Sequence, residues 1–194
     1  TSFGTGGKVT TPVGPGDDYG QAVAVDSADR VIVVGYAFNG SDNDFVVVRY
    51  TSAGVLDASF GTGGKVVTDI GTGTVDYGRA VVVDSADRIV VAGYSYNGSN
   101  NDFAVVRYTS AGVLDTSFST DGKVTTAIGT SNDTGHAVVV DSQDRVVVAG
   151  RSSNGGYWDF AVVRYVGVSV PGAPSGVMGV AVDGVVALGW VAPP

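Results

Sequence analysis

The octapeptide SFGTGGKV starts at Ser2 and returns unchanged at Ser59, and a worn copy, SFSTDGKV, starts at Ser117. Other segments keep the same interval. VDSADR ends at Arg30 and Arg88, and VDSQDR ends at Arg145. DFVVVRY starts at Asp44, and DFAVVRY starts at Asp102 and Asp159. Residues 1–166 are therefore three copies of one unit of 57 or 58 residues, and residues 167–194 are something else. A fixed internal period of this length restricts a chain to architectures that stack one supersecondary unit on the next.

Valine, threonine, tyrosine and phenylalanine fill the runs of each unit, and glycine, asparagine, aspartate and serine punctuate them. That is strand-and-turn chemistry. The middle unit predicts four strands: Arg79–Asp84, Arg88–Tyr94, Asp102–Thr109 and Gly122–Ile128. No segment has helical periodicity. The first two strands are nearly continuous apolar runs, and such runs are buried on both faces. A sandwich leaves one face of each sheet wet, whereas four-stranded sheets stacked face to face cover both. The expected fold is all-β: a β-propeller with three four-stranded blades in residues 1–166.

The phase of the repeat adds a second expectation. The chain opens on a fourth strand, Gly7–Val13, and its last complete strand is a third one, Asp159–Tyr165. The last blade then lacks its outer strand, and the opening strand lacks a sheet. Propeller rings use about four to eight blades, and an unpaired edge invites another chain. A homodimer forming one six-bladed ring is expected, with Gly7–Val13 of each copy completing the third blade of the other.

LDASFGTGGKVVTDIG followed by AVVVDSADRIVVAGYSYNG and DFAVVRYTSAGVLD resembles the delta-60 type of bacterial β-propeller repeat. AVAVDSADRVIVVG also resembles a kelch strand pair. The resemblance implies long secreted or surface proteins and brings no catalytic residue with it. The tail, VPGAPSGVMGVAVDGVVALGWVAPP, resembles the opening of a fibronectin type III domain, with strands expected at Val177–Val182 and Val185–Val191 and Trp190 as the core tryptophan. Residues 167–194 are read as a linker and a truncated segment of that kind, and the chain as an excerpt of a longer modular protein.

Composition narrows the partners. The net charge is −8, which disfavours nucleic acid, because phosphate binding needs basic patches. No apolar run approaches the roughly 20 residues of a membrane helix, so no membrane insertion is expected. There is no cysteine, which excludes disulfides and thiolate metal sites.

The copies also separate scaffold from variation. The turns at Ser27–Asp29, Ser85–Asp87 and Ser142–Asp144 hardly change, and neither do the connections between third and fourth strands. Divergence collects on the opposite rim, in the fourth-to-first and second-to-third loops. Loops on a rigid scaffold tend to carry function. There, one position after an invariant glycine reads Gln21, Arg79 and His136, placed to line a channel mouth. His136, the sole histidine, is able to change charge near neutral pH. Tyr36, Phe38, Tyr94, Tyr96, Tyr157 and Trp158 lie at or beside the second-to-third loops and suit sugar rings. The expected function is a non-catalytic extracellular binding or adhesion module for carbohydrate or protein, secreted or on the cell surface.

The rival reading is a hydrolase, of esterase or glycosidase type, with its pocket at the channel mouth. Its candidate residues are Ser95 or Ser152 with His136 and Asp133, although no G-x-S-x-G elbow is present. SDND at 41–44 and SNND at 99–102 supply oxygens of the kind calcium takes, without the D-x-D-x-D-G spacing, so no metal and no cofactor is expected. Asp44, Asp102 and Asp159 are read as turn residues before a strand. Arg49, Arg107 and Arg164 interrupt apolar strands and need partners, with Asp57 and Asp115 available for two of them. Arg30, Arg88 and Arg145 are expected to stay solvated.

Overall fold

The computed structural model describes residues 3–71, 73–166, 181–182 and 185–186. Eleven strands make three antiparallel sheets, and no described residue is helical. The first sheet has the order β1 (Asp18–Val25), β2 (Val31–Phe38), β3 (Asn43–Tyr50) and β4 (Lys65–Thr68). The second is β5 (Asp76–Val83), β6 (Ile89–Tyr96), β7 (Asn101–Tyr108) and β8 (Lys123–Thr126). The third has β9 (Asp133–Val140), β10 (Val146–Ser153) and β11 (Trp158–Tyr165). A hairpin of two-residue strands, β12 (Ala181–Val182) and β13 (Val185–Val186), falls within the strands expected in the tail. The rest of residues 167–194 lies outside the described set.

The continuous apolar runs find their reason in the second sheet. Ile89, Val91, Ala104 and Val106 face the first sheet, against Ile32, Val34, Phe45 and Val47. Val90, Ala92, Phe103 and Val105 face the third, against Val138, Val146, Val148 and Val163. All eight of these β6 and β7 residues are fully buried. Each fully buried valine, isoleucine or phenylalanine contributes about 1.5–3 kcal/mol. Charged or polar substitutions have no outward face to occupy here.

Each connection between third and fourth strands is pinned by a buried ion pair. Arg49 Nε lies 2.9 Å from Asp57 Oδ2, and Arg107 Nε lies 2.8 Å from Asp115 Oδ2. The guanidinium groups also stand over Phe60 and Phe118. The two pairings expected from the sequence are formed, while Arg164 is exposed. Arg30, Arg88 and Arg145 do not stay solvated. They pair with Asp26, Asp84 and Asp141 at 2.6–2.7 Å, and those carboxylates also accept backbone N–H groups across the turn. The turn needs one left-handed residue, supplied by Asp29, Asp87 and Asp144 at φ 56–58°, a conformation aspartate tolerates better than most residues. Asp44, Asp102 and Asp159 likewise sit inside strands rather than before them. Their carboxylates accept the amides of Asn39, Asn97 and Asn154.

The ends of the stack differ from its middle. Phe45 and Phe103 are fully buried, but Phe160, at the same place in the repeat, is 100% exposed. Val162 and Val139 in the third sheet and Val23 and Val25 in the first are also bare. Residues 3–13 lie on the first sheet as residues 60–70 lie on the second. Gly4 donates to the Ala53 carbonyl as Gly61 donates to that of Ala111. The Tyr50 hydroxyl meets Thr11 as that of Tyr108 meets Thr68. Apart from a bridge between Thr5 and Lys8, this segment has no strand partner among the described residues.

Candidate functional site: a bulged rim

The first strand of every sheet breaks register once. The slips fall between Gly20 and Ala22, between Gly78 and Ala80, and where Gly150 and Ala149 oppose Gly135 and Ala137. The unpaired residues are Gln21, Arg79 and His136. A bulge twists its strand and re-aims the extra side chain. Because β1 lies beside β5, and β5 beside β9, the three bulged residues share one rim.

Glycine makes the bulges compatible with stacking. A Cβ on Gly93 would lie 1.9 Å from the Tyr77 carbonyl oxygen, and one on Gly135 would lie 2.7 Å from the Gly93 oxygen of the neighbouring sheet. Gly93→Ala is expected to destabilise the chain by about 1–3 kcal/mol, the usual cost of forcing an extra carbon into a packed interior. Urea denaturation, read as a lowered midpoint at unchanged slope, checks this.

Around Arg79 the structure gathers what the sequence scatters. Its guanidinium donates to Gln21 Oε1 at 2.9 Å and to the Tyr94 hydroxyl at 3.0 Å. It stands 5.4–5.9 Å from the rings of Tyr36, Tyr77 and Tyr94. Tyr19 stacks on Tyr36 at 4.9 Å, and Tyr36 meets Tyr77 edge-on at 4.6 Å. Burial, only partly opposed by the charge on Arg79, raises the Tyr36 pKa. Tyr36 is among the aromatics expected at the second-to-third loops, whereas Tyr19 and Tyr77 belong to this cluster although sequence reasoning did not assign them to the site. The signal for these two was present, since each directly precedes an invariant glycine, Gly20 or Gly78.

His136 shares a 3.0 Å hydrogen bond with the Thr134 hydroxyl. Burial, then the charges of Arg151 and Arg79, lower its pKa below the usual 6.5, so the ring is neutral at neutral pH. Trp158 lies under the Arg151 guanidinium at 4.1 Å. A shallow hollow of about 470 Å³ on the bare face of the third sheet is lined by His136, Arg151, Trp158 and Phe160. Tyr157 is largely exposed at the loop tip, and Tyr96 ends β6 half exposed. The proposed nucleophiles stand apart from the histidine. Ser95 is buried opposite Asp76 in the second sheet, Asp133 accepts the N–H groups of Ile128 and Gly129, and Ser152 lies opposite Asp133 and Asp159 in the sheet. None of these three hydrogen-bonds His136 among the described residues.

A protein-family model described as "Domain of unknown function (DUF5122) beta-propeller" matches residues 28–60 and 86–118. Each match spans the second strand, the third strand and the start of the following connection, so two units are similar to a propeller repeat. No curated protein matches the chain.

Proposed function

We propose that the chain is a non-catalytic binding or adhesion module, secreted or on the cell surface, which presents its variable rim to carbohydrate or protein. The observation that carries this reading is the Arg79 cluster. A guanidinium held among tyrosine rings, next to bulge residues that differ from copy to copy, offers flat apolar faces and fixed donors together. Sugar rings and exposed peptide groups need both. The fibronectin type III-like reading of residues 167–194 fits the same class of modular surface protein.

Two copies then complete a six-bladed ring. The support is the contrast between Phe160 and its buried counterparts Phe45 and Phe103, together with residues 3–13 seated where a preceding blade would supply its last strand. In such a ring β11 pairs with Lys8–Thr11 of the second copy. The pattern is that of β3 and β4, where Phe45 opposes Thr68 and Val48 opposes Lys65.

A printed glycan array, beside a panel of chromogenic esters and glycosides, tests the function. Arg79→Ala with Tyr77→Ala is expected to lower array binding at least ~10-fold, as loss of one strong polar anchor does, with little change in melting temperature. Hydrolysis of any chromogenic substrate that disappears with His136→Ala overturns the reading in favour of an enzyme.

A further inference from the structure

We propose that Asp44, Asp69 and Asp76 bind a calcium ion at the joint between the first two sheets. The site is separate from the bulged rim cluster and does not depend on it. Asp44 is the second residue of β3, Asp69 follows the last residue of β4, and Asp76 opens β5. One oxygen from each lies within 4.8 Å of the others. Calcium takes oxygen ligands at roughly 2.3–2.6 Å, so a single ion reaches all three. Asp44 and Asp76 are buried, and Asp69 is exposed, which provides a path in and positions left for water.

Asp76 accepts the Ile70 N–H at 2.7 Å and the Thr74 hydroxyl at 3.3 Å, but one oxygen of Asp44 is not satisfied by the protein. Asp44 Oδ2 accepts the Asn39 amide at 2.8 Å, but Oδ1 has no donor, although the residue is only 4% exposed. A buried polar atom without a partner asks for an explanation, and an absent ion is one. No described Lys or Arg forms an ion pair with any of the three carboxylates. Lys123 comes near but donates to the backbone carbonyls of Asp69 and Ile70. Burial first, and then the neighbouring acids Asp69 and Asp42, raise the Asp44 pKa. Burial, with Asp69 and Asp44, pushes Asp76 up to about 6. These are the marks of anions gathered without a counter-charge.

The ligand set is all oxygen, from carboxylates with the Ser95 and Thr74 hydroxyls beside Asp76. It suits calcium's irregular coordination better than the octahedron magnesium demands, and it lacks the nitrogen or sulfur that zinc prefers. The next joint is an internal control. Asp102 and Asp133 stand where Asp44 and Asp76 do, and Oδ1 of both Asp102 and Asp133 is donorless, but Ala127 stands where Asp69 does. A donorless oxygen therefore does not by itself make the site, and the third carboxylate is what distinguishes the first joint. Asp69→Ala therefore recreates a joint this fold already contains.

The full chain, stripped with EDTA and dialysed, is titrated with calcium chloride in a calorimeter and melted with and without about 10 mM calcium, well above the ~10⁻⁴–10⁻³ M dissociation constants of extracellular calcium modules. One saturable site and a melting temperature raised by several degrees are expected. Both effects should be lost in Asp69→Ala and weakened at least ~10-fold in Asp69→Asn, where one ligand charge is removed. Absence of saturable heat in the parent chain, or an equal response in Asp69→Ala, overturns the proposal. So does stabilisation on acidification from pH 7 to 5 with no response to calcium, which means that the three carboxyls share a proton instead.

Discussion

In the proposed two-copy ring, Phe160→Asp is expected to leave a monomer in sedimentation at micromolar concentration, with its own three sheets intact. The side chain touches nothing that folding of one copy requires, since it is fully exposed. Its counterparts in the two preceding sheets are fully buried, so a covering sheet has a place for a phenyl ring and none for a carboxylate. Losing that burial forfeits about 1.5–3 kcal/mol, and a desolvated unpaired charge adds several more. At 1.4 kcal/mol per tenfold, the dissociation constant rises by ~100-fold or more. Val9→Pro attacks the same assembly from the other side, by removing a ladder donor from the segment that would pair with β11. A parent chain that scatters light as a monomer at this concentration and melts cooperatively would falsify the exchanged ring.

The largest loss within a single copy is expected from Asp115→Ala. Arg107 is 3% exposed, so deleting its partner leaves a buried guanidinium without its counter-charge, at about 3–5 kcal/mol. Replacing both residues, Arg107→Met with Asp115→Leu, should cost much less, because the desolvation problem is removed together with the bond. The pair also carries a pH signature. Burial alone would raise the Asp115 pKa, but the Ser117 hydroxyl and N–H and the Arg107 guanidinium outweigh it, and the value is held below 3.8. A carboxyl depressed in the folded state stabilises above its unfolded pKa and loses that contribution as pH falls through the folded value. The parent should therefore weaken below about pH 4, and Asp115→Ala should weaken less steeply there. Urea midpoints between pH 3 and 7 check both statements.

Strand identity was legible in the sequence because it is written three times. The four strands expected in the middle unit all form, and among the described residues the third sheet has three strands. The partners of Arg49 and Arg107 were legible because Asp57 and Asp115 recur at the same offset. What stayed hidden depends on register and on contacts between sheets. Nothing in the letters around Gln21, Arg79 or His136 says that each is the extra residue of a bulge, because a bulge is a property of two strands. Tyr19 and Tyr77 looked like ordinary strand residues until strand register set Tyr19 opposite Tyr36 in the first sheet and the stacking of the second sheet brought Tyr77 beside it. Arg30 looked solvated because it follows an Asp in a hairpin turn, and only the folded turn brings Asp26 within 2.7 Å of it. Asp44, Asp69 and Asp76 come from three strands or strand ends in two sheets, and no spacing rule joins them.

The glycine contacts at the joints have a consequence for how this surface can change over time. Adjacent sheets meet there through main chain, at Gly35 against Gly78 and at Gly93 against Gly135, so their separation is set by atoms that every unit shares. The residues beside the glycines are relieved of spacing the sheets. Between copies they read Tyr, Tyr and Thr on one side, Tyr, Tyr and Arg on the other, and Gln, Arg and His at the bulge. Exchange at these positions alters what the rim displays without moving the framework. Duplicated units can thus diverge independently and accumulate into a combinatorial surface whose geometry is inherited and whose chemistry is not.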